Sequence, residues 1–219
     1  MSGTLPLTPK FTSAGISSVW PGLITETDVG STQRVNYIGH YFRAQCTYPL
    51  MKLTTAKPII AFLQKQQGGY DNFAAAIEGY INADGAVYAK HLLHLGAIGT
   101  DLTAHASYAV GTSAITFNSN FTSTYYTSGA DGDFFKDGDM IKFSNHNKLY
   151  MVVDSTNPNS SGDAGVINIQ PGLTTAITSA HTIQYHTVYG QWFLESQDIN
   201  WNTGLAETVE LEITLREDV

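Results

Sequence analysis

Strict apolar/polar alternation in two distant stretches constrains this chain more than any other feature. In Gln33–Tyr48, Phe42, Ala44, Cys46 and Tyr48 share one face, and Tyr41, Arg43, Gln45 and Thr47 share the other. Near the C-terminus Val209, Leu211, Ile213 and Leu215 alternate with Glu210, Glu212 and Thr214. A period of two is the signature of a half-buried strand, because successive side chains on a pleat point to opposite faces. With Gln191–Gln197 as its partner, the C-terminal stretch is expected to complete the sheet that Gln33–Tyr48 begins.

One good helix is predicted, over Thr54–Gln67. Ala56, Ile59, Ile60 and Leu63 recur at the spacing of a single helical stripe. Thr54 or Thr55 is expected to cap it. Pro58 falls in the first turn, where a missing N–H costs little. Lys65 occupies the last turn, and Gly68-Gly69 ends the helix. About 12 residues are marginal as an isolated helix, so the stripe must pack on the sheet.

Between these elements the rhythm shortens. Residues 73–99 are predicted as strands near Phe73–Ile81 and Ala86–Leu95. Residues 102–130 contain no charged side chain and are rich in Thr, Ser, Tyr and Gly. Such a segment is either a low-complexity linker or a module of short strands, and Ala114-Ile115-Thr116-Phe117 favours the strands. Met140–Phe143 and Leu149–Val153 read as a tight hairpin around the turn Asn145–Lys148. A loop over Asp154–Gly165, a strand Val166–Ile169, a turn at Pro171-Gly172 and a strand Thr182–His186 follow. Residues 105–187 are therefore expected to form a small β-barrel inserted in a parent domain made of 1–104 and 188–219. Pro6, Pro9, Gly15, Pro21, Gly22 and Gly30 punctuate the first 30 residues, which favours an extended arm or loose strands over a helix. An ordered arm usually has another surface to lie on.

Composition removes several function classes. Only 14% of residues are charged, against about 25% in an average domain, while the 42% that are hydrophobic exclude disorder through low apolarity. A net charge of −8 argues against adhesion to a nucleic-acid backbone. A single cysteine, Cys46, rules out an internal disulfide framework and a multi-thiolate metal cluster, and its place on the apolar face predicts burial. No run approaches the ~18 apolar residues of a membrane span. Met1–Pro6 lacks the basic start and apolar stretch of a signal peptide, so synthesis in a cytoplasm is expected.

The search for chemistry finds little. His91 and His94 lie three apart with only His105 near in sequence, short of the ligand set a metal needs. His181 and His186 differ by an odd number and would face opposite ways on a strand. Asp131, Asp133, Asp137 and Asp139 suggest a calcium loop. In an EF-hand register from Asp131, however, Lys136 and Lys142 stand where Gly and Glu are required. No G-x-S-x-G elbow and no phosphate-cradling glycine motif occurs. No catalytic, cofactor-binding or metal residue is singled out, and a non-enzymatic protein with no cofactor is expected.

Two groups of residues resemble a family. Gln33-Arg34, Tyr41-Phe42-Arg43, Thr47-Tyr48-Pro49-Leu50, Ala56–Leu63 and Gln67-Gly68 resemble a strand, Tyr-Pro turn and helix found in tailed-bacteriophage tail proteins. Phe135–Phe143, Lys148–Val153 and Ile167–Leu173, closed by Trp192–Gln197 and Glu207–Arg216, resemble the hairpin-and-strand module that follows there. The resemblance spans roughly 33–70 and 105–216, and residues 71–104 do not align with the pattern.

What it implies is a structural protein of the distal-tail or baseplate-hub kind. The fold would be mainly β: a tail-tube-like β-barrel or sandwich with one packed α-helix and an inserted small β-barrel. Such a protein assembles with itself into a ring, hexameric or trimeric, and joins other phage tail proteins in the virion. It binds no specific nucleic-acid sequence and inserts in no membrane. Many Tyr, Asn and Thr with sparse charge suit protein contact, since Tyr adds area at small entropic cost. A net-negative ring would also resist adhesion to DNA passing through it. The competing reading is a carbohydrate- or ligand-binding β-module for host recognition, with Trp20, Trp192 and Trp201 as stacking candidates, although tryptophans in β folds more often serve core or interface.

Overall fold

A computed structural model of the chain describes residues 3–26, 30, 32–36, 39–87, 102–118, 132–157, 164–204 and 206–219. It is mainly β, with a single α-helix among the described residues and a closed barrel. The chain divides into two compact units, Met1–Ala75 with Gln191–Val219, and Ala76–Gly190.

The first unit is a sheet built on the two alternating stretches. Strand β4 (Tyr41–Thr47) lies between β1 (Ser13–Val19) and β15 (Thr208–Glu217), and β15 pairs onward with β13 (Gly190–Leu194), which neighbours β6 (Phe73–Ala75). All the registered pairs are antiparallel, with Ala44 opposite Leu215 and Cys46 opposite Ile213. The apolar face of β15 (Val209, Leu211, Ile213, Leu215) is buried, together with Phe42, Ala44, Cys46 and Tyr48 of the neighbouring stretch. Two short strands, β5 (Met51–Lys52) and β14 (Trp201–Thr203), pair with the first half of β15. The expected strand Gln33–Tyr48 is in fact two. Its first part, β3 (Thr32–Asn36), pairs with β2 (Gly22–Glu26) as a separate two-stranded ribbon, and Gly39, at φ 135°, leads into β4.

Helix α1 spans Leu53–Lys65 and buries Ala56, Ile59 and Leu63, packing against β15 and β5. The expected threonine cap is not formed. Lys52 takes the cap position without a side-chain hydrogen bond, and the Leu53 N–H donates to the Glu207 carbonyl instead. Tertiary pairing thus satisfies one of the orphan amides of the helix start. The glycine stop is real and steric. After the helix Gln67 and Gly68 adopt φ of 53° and 67°, and a Cβ on Gly69 would lie 2.6 Å from the Leu194 carbonyl oxygen.

The second unit is built round a closed, all-antiparallel barrel. Its strands run in the order β10 (Leu149–Thr156), β11 (Ala164–Gln170), β8 (Ala114–Asn118), β7 (Leu102–Ala104), β12 (Thr182–Gln184), β9 (Met140–Phe143), and β9 returns to β10. Inward residues such as Ile115, Phe117, Ile141, Phe143, Tyr150, Ile167, Ile169 and Ile183 fill it completely. Phe134 stacks on Phe117 at 5.4 Å and Phe135 meets Phe117 edge-on at 5.6 Å.

The boundaries differ from those read in the sequence. The unit begins at Ala76 rather than 105 and ends at Gly190 rather than 187, and Leu102–Ala104 is a barrel strand. Ala83 and Val87, ahead of 105, are buried in the barrel's core. Of the strand expected over Phe73–Ile81, only Phe73–Ala75 forms. Ala76–Ile81 turns instead, and most of Ala86–Leu95 lies outside the described residues. The 154–165 loop is shorter than expected, because β10 and β11 run into it.

Candidate assembly surface

A sheet ends in two edge strands, and each exposes unpaired backbone N–H and C=O groups that can template another chain. In the first unit the two edges are treated differently. At β6 the chain covers its own edge. The Leu5 N–H donates to the Ala74 carbonyl, the Ala74 N–H donates to the Gly3 carbonyl, and Leu5 is 2% exposed. At β1 no described segment pairs with the outer edge. Seven residues, Ser-Ala-Gly-Ile-Ser-Ser-Val, form that edge, and none is a Lys or Pro of the kind that guards natural edges. Their side chains are small or aliphatic, and none is charged.

The β2–β3 ribbon continues from this edge. Leu23 pairs with Val35 and Ile24 with Arg34, so Leu23 and Val35 share one face and Ile24 lies on the other. Leu23, Ile24 and Val35 are 51%, 72% and 52% exposed, so neither face of the ribbon is covered. Its base is held by a ring stack. Trp20 lies 4.6 Å from the His40 imidazole, His40 meets Phe42 edge-on at 4.7 Å, and the Ser18 hydroxyl is 2.8 Å from His40 Nε2. From Phe11 to Thr25 no residue is charged, in a chain of net charge −8. That run crosses β1 and β2, and it is the sequence signal through which the surface was detectable.

A second feature of the same unit is an open cleft of about 470 Å³ on the outer face of the sheet. Thr47, Asp198, Asn200, Asn202, Glu210 and Glu212 contribute to its lining, which carries carboxylates and amides and no cation. Trp201 alternates with Asn202 on β14 and so points away from the cleft's amide.

The residues weighed for chemistry disperse. The Cys46 thiol is buried, and burial pushes it up to about 12, far from a nucleophilic thiolate. His91, His94 and Asp131 lie outside the described residues. His105 Nδ1 is 2.7 Å from Asn118 Oδ1, the Thr178 N–H donates to His181 Nδ1, and His186 packs edge-on to Tyr185. Asp137 is exposed, whereas Asp139 is buried and accepts the backbone N–H groups of Asp84 (2.7 Å) and Lys136 (2.9 Å). Asp139 is therefore a loop tie. Among the described residues no group of three His, Cys, Asp or Glu side chains is placed to hold a metal. No described helix is long and apolar enough to cross a membrane.

The tryptophans separate as well. Trp192 is fully buried with its Nε1–H on the Ala75 carbonyl at 3.1 Å, Trp20 belongs to the ribbon base, and Trp201 is 41% exposed by itself. No protein-family model matches the chain, and no curated protein matches it at a significant level.

Proposed function

We propose that this protein is a non-enzymatic structural component of a bacteriophage tail, in the distal-tail or baseplate region, that assembles into a ring through protein–protein contacts. The observation that carries the reading is the open, charge-free β1 edge continued by a ribbon that exposes Leu23, Ile24 and Val35, in a unit that covers its β6 edge with its own N-terminal segment. The order of strand, Tyr-Pro turn, helix and glycine stop, with the hairpin module after it, supports placing that assembly in a tail. Its partners would be copies of itself and neighbouring tail proteins in the virion.

The runner-up, a carbohydrate- or ligand-binding module for host recognition, draws on the carboxylate- and amide-lined cleft, whose groups suit sugar hydroxyls. It lacks an aromatic platform there, since the nearby Trp201 faces away. Native mass spectrometry together with a glycan-binding panel separates the two. A closed oligomer without glycan binding is expected, and a strict monomer that binds glycans through Asp198 and Glu212 would replace the first reading with the second.

A further inference from the structure

We infer that β2 of one copy pairs onto the open β1 edge of the next, so that the protein joins head to tail by strand addition. The inference rests on the reading that the protein self-assembles, and it names the surfaces that do so.

Three observations converge. The first is an acceptor: the outer edge of Ser13–Val19 has no partner among the described residues and bears only small or aliphatic side chains. The second is a donor on the same unit. The ribbon Gly22–Glu26/Thr32–Asn36 is paired only within itself, and Leu23, Ile24 and Val35 are more than half exposed. The third is charge. Copies of a chain carrying −8 repel one another, and the least costly place to bring two together is a surface without carboxylates. The uncharged run Phe11–Thr25 contains the whole of β1 and all of β2 but Glu26, so the acceptor is uncharged and the donor strand carries one carboxylate, at its last residue. A heteromeric partner would need no such match on both sides, whereas a second copy supplies both.

The alternative of β1 pairing with β1 about a two-fold axis would stop at a dimer and leave the ribbon's apolar residues in water. Pairing β2 with β1 uses two different surfaces and leaves one of each free, so it propagates and closes into a ring where the rotation permits. Main-chain hydrogen bonds supply the affinity and the side chains of the ribbon the register, as in other strand additions. A stable interface takes roughly 20–30 residues a side, and one strand-on-edge contact is smaller than that. Single contacts are therefore weak, and closure, in which every copy uses both surfaces, holds the assembly.

The test uses the full chain and two variants on exposed positions. Gly15→Lys puts a charge on the acceptor edge where nothing obstructs it, and Leu23→Glu/Ile24→Glu charges the donor. Circular dichroism and melting temperature confirm that each folds as wild type. By sedimentation velocity over a concentration series, wild type is expected to assemble. Each variant should need at least about tenfold more protein to do so, as guarded edges resist pairing. Mixing the two variants is the decisive step. One retains a good donor and the other a good acceptor, so at high protein concentration the mixture should form a weak heterodimer and nothing larger, while neither variant alone associates. Wild-type assembly that both variants share unchanged would overturn this inference and leave the assembly reading standing. A mixture that stays monomeric at that concentration would also overturn it, and a donor variant that still dimerises while Gly15→Lys does not would do so in favour of β1–β1 pairing. A wild type monomeric throughout would overturn both.

Discussion

The Tyr48 hydroxyl is buried beside the Phe11 ring and has no hydrogen-bond partner among the described residues, and burial raises its pKa well above the usual phenol range. An unpaired buried hydroxyl costs more than the methine hydrogen that would replace it. Tyr48→Phe is therefore expected to raise stability by about 1 kcal/mol in urea unfolding, and a loss of that size would mean the hydroxyl is satisfied by water. Asp139 is the opposite case. Its carboxylate holds the Asp84 and Lys136 amides, so Asp139→Ala should cost about 1–3 kcal/mol by removing the charged acceptor of two part-buried donors, and Asp139→Asn, which keeps one acceptor, should cost less. His146 gives the second unit a pH dependence. It sits 2.7 Å from the Tyr150 hydroxyl, and burial, with His181, Lys142 and Lys148 nearby, lowers it from 6.5 to about 4. Between these two values the unfolded chain binds a proton that the folded unit does not. Stability therefore falls as pH drops from about 6.5 toward 4. Melting temperatures from pH 7 to 4.5 should show this slope in wild type and a shallower one in His146→Gln.

Elements differ in how far their neighbours decide them. Leu63 lies on the buried face of α1, and Leu63→Ala is expected to cost about 2–5 kcal/mol in chemical denaturation, whereas a loss under about 0.5 kcal/mol would be that of a surface site. The helix's face was legible because Ala56, Ile59 and Leu63 are local in sequence, and so was β15, whose ten residues show the period many times. The cap was not legible, since Glu207, which receives the Leu53 amide, is remote in the chain. Three-residue strands such as Leu102–Ala104 are too short to display a period at all, so the barrel was recognised from its turns and misplaced at its start. Gly85 marks that start: a Cβ there would lie 2.2 Å from the Phe134 carbonyl oxygen, a contact that sequence cannot reveal. The free edge was the least legible feature, because which strand lacks a neighbour depends on all the pairings at once. Only its lack of charge was written locally.

For the whole molecule, the second unit is contiguous and the first is interrupted by it. The interruption is short in space within the first unit, because the Trp192 indole donates to the Ala75 carbonyl at 3.1 Å. Joining Ala75 to Gln191 through a brief Gly/Ser linker should then leave a cooperatively melting β-domain, and a product without a melting transition would mean that the sheet depends on the excised unit. The proposed place of work is a phage tail in which copies meet edge to arm. The measurement that bears on it most directly is electron microscopy of purified virions labelled with antibody fragments against this chain. The account predicts labels confined to a ring at the distal end of the tail, and virions that carry no label there would contradict it.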